Sequence, residues 1–145
     1  MDEIKHAEML AHINRLIGHN QSALSFIKLH NDFVHAVDDV VDENWTPEKK
    51  CEAFLKVWEY YNHPYYVSHP ELKIVGMLNH IDYQNSVRWE KHEDKVLRDA
   101  ANILRHASIQ MLYAVVAIEC GVADANAIAA DFREYTIRKH SNDFQ

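Results

Sequence analysis

The scarcity of helix-breaking residues is the feature that most constrains how this chain can fold. Only 3 glycines and 3 prolines occur in 145 residues. Apolar residues recur along the intervening stretches with the 3.6-residue period of a helix, and strand-like alternation is hard to find. We therefore predict an all-α fold, a single-domain bundle of about six mostly antiparallel helices over residues 1–145, with a frayed tail at about 141–145.

Cap and breaker residues divide the first half of the chain into three predicted helices. These run over about Asp2–Ile17, from Asn20 or Ser22 to about Asn44, and from Pro47 to about Tyr61. Gly18 suits the end of the first, and Thr46-Pro47-Glu48 is a typical helix start. Residues 62–70, with two prolines and adjacent tyrosines, form the clearest predicted loop. It is either a lid over a site or a loop held by packed tyrosines.

The second half of the chain offers fewer boundaries, because no proline occurs between residues 71 and 121. A single helix of that length would be unusual, so we predict a break near residues 91–94. The fifth helix then contains the apolar run 109–118 and ends at Gly121. The sixth starts at Asp124 or Asn126.

Charge and composition exclude several classes of protein. The formal net charge is −7 and no block of lysine and arginine occurs, so we expect no binding to nucleic acid. No apolar run approaches the roughly 20 residues of a membrane span. Met1 is followed by Asp2 and Glu3 rather than by a signal sequence, and Cys51 and Cys120 are far apart. We expect a cytoplasmic protein without membrane contacts that assembles as a homo-oligomer.

Two acidic ladders at helical spacing are the strongest functional signal. Residues 38–43 read Asp-Asp-Val-Val-Asp-Glu, and a second set at four-residue spacing follows at positions 82, 86 and 90. Mg²⁺ prefers oxygen ligands, keeps several waters and lets substrate phosphates complete its shell. We therefore predict that two helices face each other and hold Mg²⁺ through Asp38, Asp39, Asp42, Asp82, Ser86 and Glu90. The alternative is a solvated helix end.

These residues resemble the motifs of a known enzyme family. Residues 38–42 match the DDxxD motif of class I terpenoid synthases, and Asp82-x-x-x-Ser86-x-x-x-Glu90 is similar to their second metal motif, (N/D)xxx(S/T)xxxE. The resemblance covers about fifteen residues and implies Mg²⁺ and a prenyl diphosphate between facing helices.

The chain length resembles that of a second family, the all-α NTP pyrophosphatases. For that family, Asp39-x-x-Asp42 and Glu90-x-x-Glu93 would be the metal-binding pairs.

Basic and histidine residues complete the predicted site. The planar guanidinium suits phosphate oxygens, so Arg88, Arg98 and Arg105 are candidates for binding a diphosphate. Glu90 and His35 are the candidate catalytic residues. The sequence thus predicts a Mg²⁺-dependent enzyme acting on a diphosphate-containing small molecule, either a prenyl diphosphate or a nucleoside triphosphate. Whether it is a lyase, a transferase or a pyrophosphohydrolase stays open, and the alternative is a non-enzymatic helical interaction protein.

Overall fold

A computed structural model describes residues 2–139, and these residues form eight α-helices with no β-strand. The helices are α1 (Asp2–Ile17), α2 (Gln21–Asp42), α3 (Pro47–Tyr61), α4 (Pro64–Ser68), α5 (Leu72–Trp89), α6 (Lys95–Arg105), α7 (Ile109–Cys120) and α8 (Val122–Lys139). The all-α class is confirmed, but the predicted number of about six helices is too low. The predicted frayed tail at about 141–145 lies outside the described residues.

The starts of α2 and α3 are fixed by side-chain caps. The Asn20 side chain accepts hydrogen bonds from the backbone amides of Ser22 and Ala23, each at 3.1 Å. The Thr46 hydroxyl accepts from the Lys49 amide at 3.3 Å, with Pro47 as the first helical residue. Such caps satisfy amide groups that have no partner inside the helix. The predicted starts of the second and third helices are therefore confirmed.

The predicted loop at residues 62–70 contains the short helix α4, which the sequence analysis missed. Pro64 begins α4, and the His63 ring accepts from the Tyr65 amide at 3.1 Å. Tyr65 and Tyr66 are both buried. Of the two interpretations of this segment, the one in which packed tyrosines hold it in place fits these contacts.

The predicted fifth helix is in fact two helices, α6 and α7, which meet at a bend of 44°. No glycine or proline marks the bend. Two carbonyls at the break each accept a hydrogen bond from a distant side chain in addition to one from the backbone: Ser108 O accepts from the His30 ring at 3.0 Å, and His106 O accepts from Arg133 at 2.9 Å. These contacts from α2 and α8 stabilise the break.

The eighth helix starts earlier than predicted. Gly121 has φ 101°, a conformation that favours glycine, and it turns the chain within one residue. Val122 then begins α8 directly, so the predicted start at Asp124 or Asn126 is wrong. Asp124 lies in the first turn, where a carboxylate suits the helix dipole.

The core lies where α1, α2, α7 and α8 pack together, with α3, α4 and α5 around them. Its largest buried side chains include Ile17, Phe26, Tyr60, Leu72, Met111, Val115 and Ile128. In the described part of the chain, no single helix is long and apolar enough to cross a membrane, and α6 with α7 reaches that length and composition only as a bent pair.

Candidate functional site

Arg105, the last residue of α6, is surrounded by acidic side chains from two other helices. Its Nη1 donates to Asp38 Oδ1 at 3.1 Å and to Asp42 Oδ2 at 3.3 Å. Its Nη2 donates to Glu90 Oε2, and its Nε donates to Ser86 Oγ at 2.9 Å. The Arg105 side chain is only 8% exposed, whereas the three carboxylate groups are 25% to 44% exposed. We call these five residues the Arg105 cluster.

The ends of three helices build this cluster. Asp38 and Asp42 lie one turn apart at the end of α2, and Ser86 and Glu90 lie one turn apart at the end of α5. Residues four apart lie on the same side of a helix. Four residues of the two predicted acidic ladders, Asp38, Asp42, Ser86 and Glu90, therefore converge, and a guanidinium lies between them.

Tyr83 adds a second layer of contacts. Its hydroxyl donates to Asp38 Oδ1 at 2.7 Å, and the guanidinium of Arg105 lies over its ring at 5.0 Å from the centroid. Ser86 is fully buried, and its hydroxyl donates to Tyr83 O at 2.6 Å. Since that proton is committed, Ser86 Oγ is left to accept from Arg105. The cluster is thus held in one orientation.

The electrostatics show an excess of negative charge. Partial burial raises the pKa of Asp42, and the neighbouring Asp38 and Glu90 carboxylates raise it further, although Arg105 opposes them. Burial lowers the pKa of Arg105, but the anionic neighbours together raise it above the usual value. When all three carboxyl groups are ionised, they share one guanidinium and two negative charges are not balanced within the cluster.

Two predicted metal ligands, Asp39 and Asp82, lie outside the cluster. Both are half-buried, and neither carboxylate forms a hydrogen bond or ion pair with the residues that the structure describes. Helical geometry explains this, because each residue turns the helix by about 100°. Asp39 is therefore about 100° from Asp38, and Asp82 is about 80° from Glu90.

The remaining predicted site residues, apart from Arg105, also lie outside the Arg105 cluster. Arg88 is exposed on α5. Arg98 donates to the carbonyl groups of His92 and Glu93, both at 2.7 Å, and so stabilises the turn before α6. His35 is exposed on α2, one turn before Asp38. Of the three predicted diphosphate-binding arginines, the structure brings only Arg105 to the acidic residues.

The sequence analysis missed Tyr83 and the polar seam to which it belongs. Asn79, Tyr83, Ser86 and Glu90 follow each other at i, i+4, i+7 and i+11 on the inner face of α5. Asn79 is buried, and neither polar atom of its side chain has a hydrogen-bond partner among residues 2–139. The signal was present in the spacing, because Tyr83 lies only about 20° from Glu90 around the helix.

A cavity of about 520 Å³ with a mostly apolar surface is lined by His106, the residue after Arg105, but by none of the five cluster residues. Its walls come from α1, α2, α7 and α8, with Met9, Ile13, Leu24, Ile27, Ile109 and Leu112 among its apolar lining residues. His35 and His106 also line it. Because His35 lies one turn before Asp38 and His106 follows Arg105, the cavity and the cluster are neighbours along α2 and at the end of α6.

Within residues 2–139, no group of three or more histidine, cysteine, aspartate and glutamate side chains is arranged to hold a metal ion. The guanidinium of Arg105 lies between the three carboxylates of the Arg105 cluster. No protein-family model matches the chain, and searches of the curated proteins and of the solved structures also find no match.

Proposed function

We propose that this chain binds Mg²⁺ together with a diphosphate-containing small molecule at the Arg105 cluster, and acts on that molecule as an enzyme. The observation that carries the proposal is the convergence of Asp38 and Asp42 from α2 with Glu90 from α5 on one guanidinium. The two negative charges left over match the charge of one divalent cation. The carboxylate oxygens are also the ligand type that Mg²⁺ prefers.

Arg105 has two roles in this proposal. Without ligand it pairs with all three carboxylates and balances one of their charges. With ligand, its planar group is suited to bind the phosphate oxygens while Asp38, Asp42 and Glu90 hold the cation. Bound Mg²⁺ would supply charge neutralisation of the diphosphate. The partial exposure of the three carboxylates, 25% to 44%, leaves them accessible from solvent.

The neighbouring cavity favours a prenyl diphosphate over a nucleoside triphosphate. Its volume of about 520 Å³ lies within the usual range of small-molecule pockets, roughly 300–1,000 Å³. Most of its surface is apolar, which suits a hydrocarbon chain better than a polar base and ribose, although Lys28, Asp32 and His30 also line it. His35 lines the cavity and is the candidate for accepting or donating a proton there.

A second candidate function is favoured by the burial of Arg105. All three nitrogens of its guanidinium group are engaged, and its side chain is 8% exposed. A group held in this way can join α2, α5 and α6 without any ligand. The chain would then be a non-enzymatic helical protein with a structural ion-pair cluster.

Thermal melts with and without Mg²⁺ and pyrophosphate separate the two candidates. Ligand at a hundredfold excess over its Kd stabilises a protein by about 2.7 kcal/mol. For a chain of this length, that raises Tm by about 5–10 °C. We expect this rise in the wild type and its loss in the Asp38→Asn, Asp42→Asn double variant. Asp39→Asn is the matched control, because it removes one charge from the same helix outside the cluster.

A panel of prenyl diphosphates and nucleoside triphosphates, assayed for released pyrophosphate, tests the reaction. We expect release from prenyl diphosphates in the presence of Mg²⁺. If no ligand changes the melting temperature of the wild type, and no pyrophosphate is released from either substrate class, the enzymatic proposal is wrong and the structural cluster remains.

A further inference from the structure

The cavity of about 520 Å³ is lined along its length by one face each of α1 and α2. α2 lines it over about three turns, from Leu24 to His35. The lining residues of α1 follow the spacing i, i+3, i+4, i+7, i+8, which places them on one side of the helix: His6, Met9, Leu10, Ile13 and Asn14. Protein interiors keep few voids larger than a water molecule, so a cavity of this size is suited to a ligand.

The end of the cavity near the turn between α1 and α2 is closed and apolar. Ile13, Leu24 and Leu112 line it, and each is only 8% exposed. All three belong to the hydrophobic core. His30 also lines the cavity, but both of its ring nitrogens already form hydrogen bonds within the protein. This end therefore suits a hydrocarbon group, which gains by leaving water.

The other end of the cavity is polar and open to solvent. Asn31, Asp32 and His35 of α2 line it there and are exposed. Their side chains form no hydrogen bond or ion pair with the residues that the structure describes, so they are available to a ligand. His6 lines the same end, because it lies about two turns before Ile13 on α1 and a short turn joins α1 to α2.

The charges around the cavity favour an uncharged ligand. Among the described residues that line it, Lys28 and Asp32 are the only lysine, arginine, aspartate or glutamate side chains, and their formal charges cancel. A charged head group would lose hydration there without meeting a surplus of opposite charge. The amide of Asn31 and the imidazole of His35 instead offer a donor and an acceptor to a neutral polar group such as a hydroxyl.

We propose that this cavity binds an uncharged amphiphile, a long-chain alcohol. Its hydrocarbon chain fills the closed end against Ile13, Leu24 and Leu112, and its hydroxyl forms hydrogen bonds with Asn31 and His35 at the open end. This inference goes beyond the proposed enzymatic function and does not depend on it, because none of the five residues of the Arg105 cluster lines the cavity.

Isothermal titration calorimetry with 1-decanol, decanoate and decylamine, each below the concentration at which it forms micelles, tests the proposal. We expect saturable binding of one decanol per chain in the absence of Mg²⁺. Its Kd should be at least about tenfold lower than that of either charged analogue, because the charged heads lose hydration without compensation. No binding of decanol, or equal or tighter binding of decanoate or decylamine, would overturn the proposal.

Leu10→Trp fills the cavity from a position that is 49% exposed, so the fold should tolerate the change. Ile4→Trp is the matched control, because Ile4 is 66% exposed on the same helix and does not line the cavity. Far-UV circular dichroism should show equal helix content in both. We expect decanol to bind at least about tenfold more weakly to Leu10→Trp and unchanged to Ile4→Trp. Equal binding to the two variants would contradict the assignment.

The open end is tested by Asn31→Ala, which should weaken decanol binding about two- to tenfold, the usual effect of one neutral hydrogen bond. An unchanged Kd would show that the hydroxyl does not lie there and would overturn the proposed orientation. Decanol should bind equally to the Asp38→Asn, Asp42→Asn double variant. Loss of Mg²⁺ and pyrophosphate binding in that variant, with decanol binding retained, separates this site from the Arg105 cluster.

Discussion

Arg105 illustrates why individual residues at this site resist prediction from sequence. It was one of three candidate arginines, and nothing in its local sequence distinguishes it from Arg88 or Arg98. What selects it is its place at the end of α6, where Asp38 and Glu90 both come within hydrogen-bonding distance. That proximity depends on how three helices pack. The spacing of residues along each helix does not predict this proximity.

Replacing Arg105 by glutamine should destabilise the fold. The change leaves three partly buried carboxylates without a countercharge, and removing one partner of a buried ion pair costs about 3–5 kcal/mol. Because the carboxylates are partly exposed, we expect about 2 kcal/mol. Urea denaturation at neutral pH measures this loss. Lys95→Gln, which removes a pair with Asp99 that is mostly exposed, should change the free energy of unfolding by less than about 0.5 kcal/mol.

His30 is the residue with the clearest pH dependence. Burial lowers its pKa to about 4, and the hydrogen bond to the Ser108 carbonyl offsets this only in part. Its Nε2 lies 3.0 Å from that carbonyl, so this nitrogen carries the proton. Nδ1 therefore accepts from the Tyr60 hydroxyl at 2.9 Å. The neutral imidazole matches both partners.

The free energy of unfolding should fall as the pH drops from about 6.5 to about 4 because of His30. In that range His30 binds a proton in the unfolded state but not in the folded state. The contribution of neutral His30 to the free energy of unfolding is therefore complete above pH 6.5 and is lost toward pH 4. The loss is on the order of 3 kcal/mol. Urea denaturation across this pH range should show a smaller fall for His30→Gln, which keeps a donor and an acceptor without titrating. Equal falls in both proteins would contradict this role.

At the scale of the elements, the sequence was most informative where the signal is local. The capping residues Asn20 and Thr46 and the glycine after α7 are readable because their effect extends over only a few residues. The break between α6 and α7 could not be predicted from the local sequence. It is stabilised by His30 and Arg133, which lie far from it in sequence.

Asn20→Ala should destabilise the protein by about 1–2 kcal/mol. Besides capping α2 through its oxygen, the side chain donates through Nδ2 to Glu119 on α7, so the change removes a cap and a contact between helices. Thermal and urea denaturation measure the effect. Ser108→Ala is the matched control, because Ser108 precedes α7 without forming a side-chain cap, and a comparable loss there would contradict the assignment.

At the scale of the whole molecule, the fold class was predictable because few glycines and prolines interrupt the helical pattern. The meeting of the two acidic ladders was also predicted, although Asp39 and Asp82 lie outside the Arg105 cluster. The exact members were not predictable, since a rotation of about 100° per residue separates neighbours on a helix. The spacing along α5 places Tyr83 on the same side as Glu90, but its contact with Asp38 depends on how α2 and α5 pack.

The central claim is that the carboxylates of α2 and α5 bind Mg²⁺ with a diphosphate. Isothermal titration calorimetry of pyrophosphate into the wild type, with and without Mg²⁺, tests it most directly. We expect saturable binding that requires Mg²⁺, persists in Asp39→Asn and is absent from the Asp38→Asn, Asp42→Asn double variant. Absence of binding to the wild type, or equal binding to the double variant, would contradict the claim.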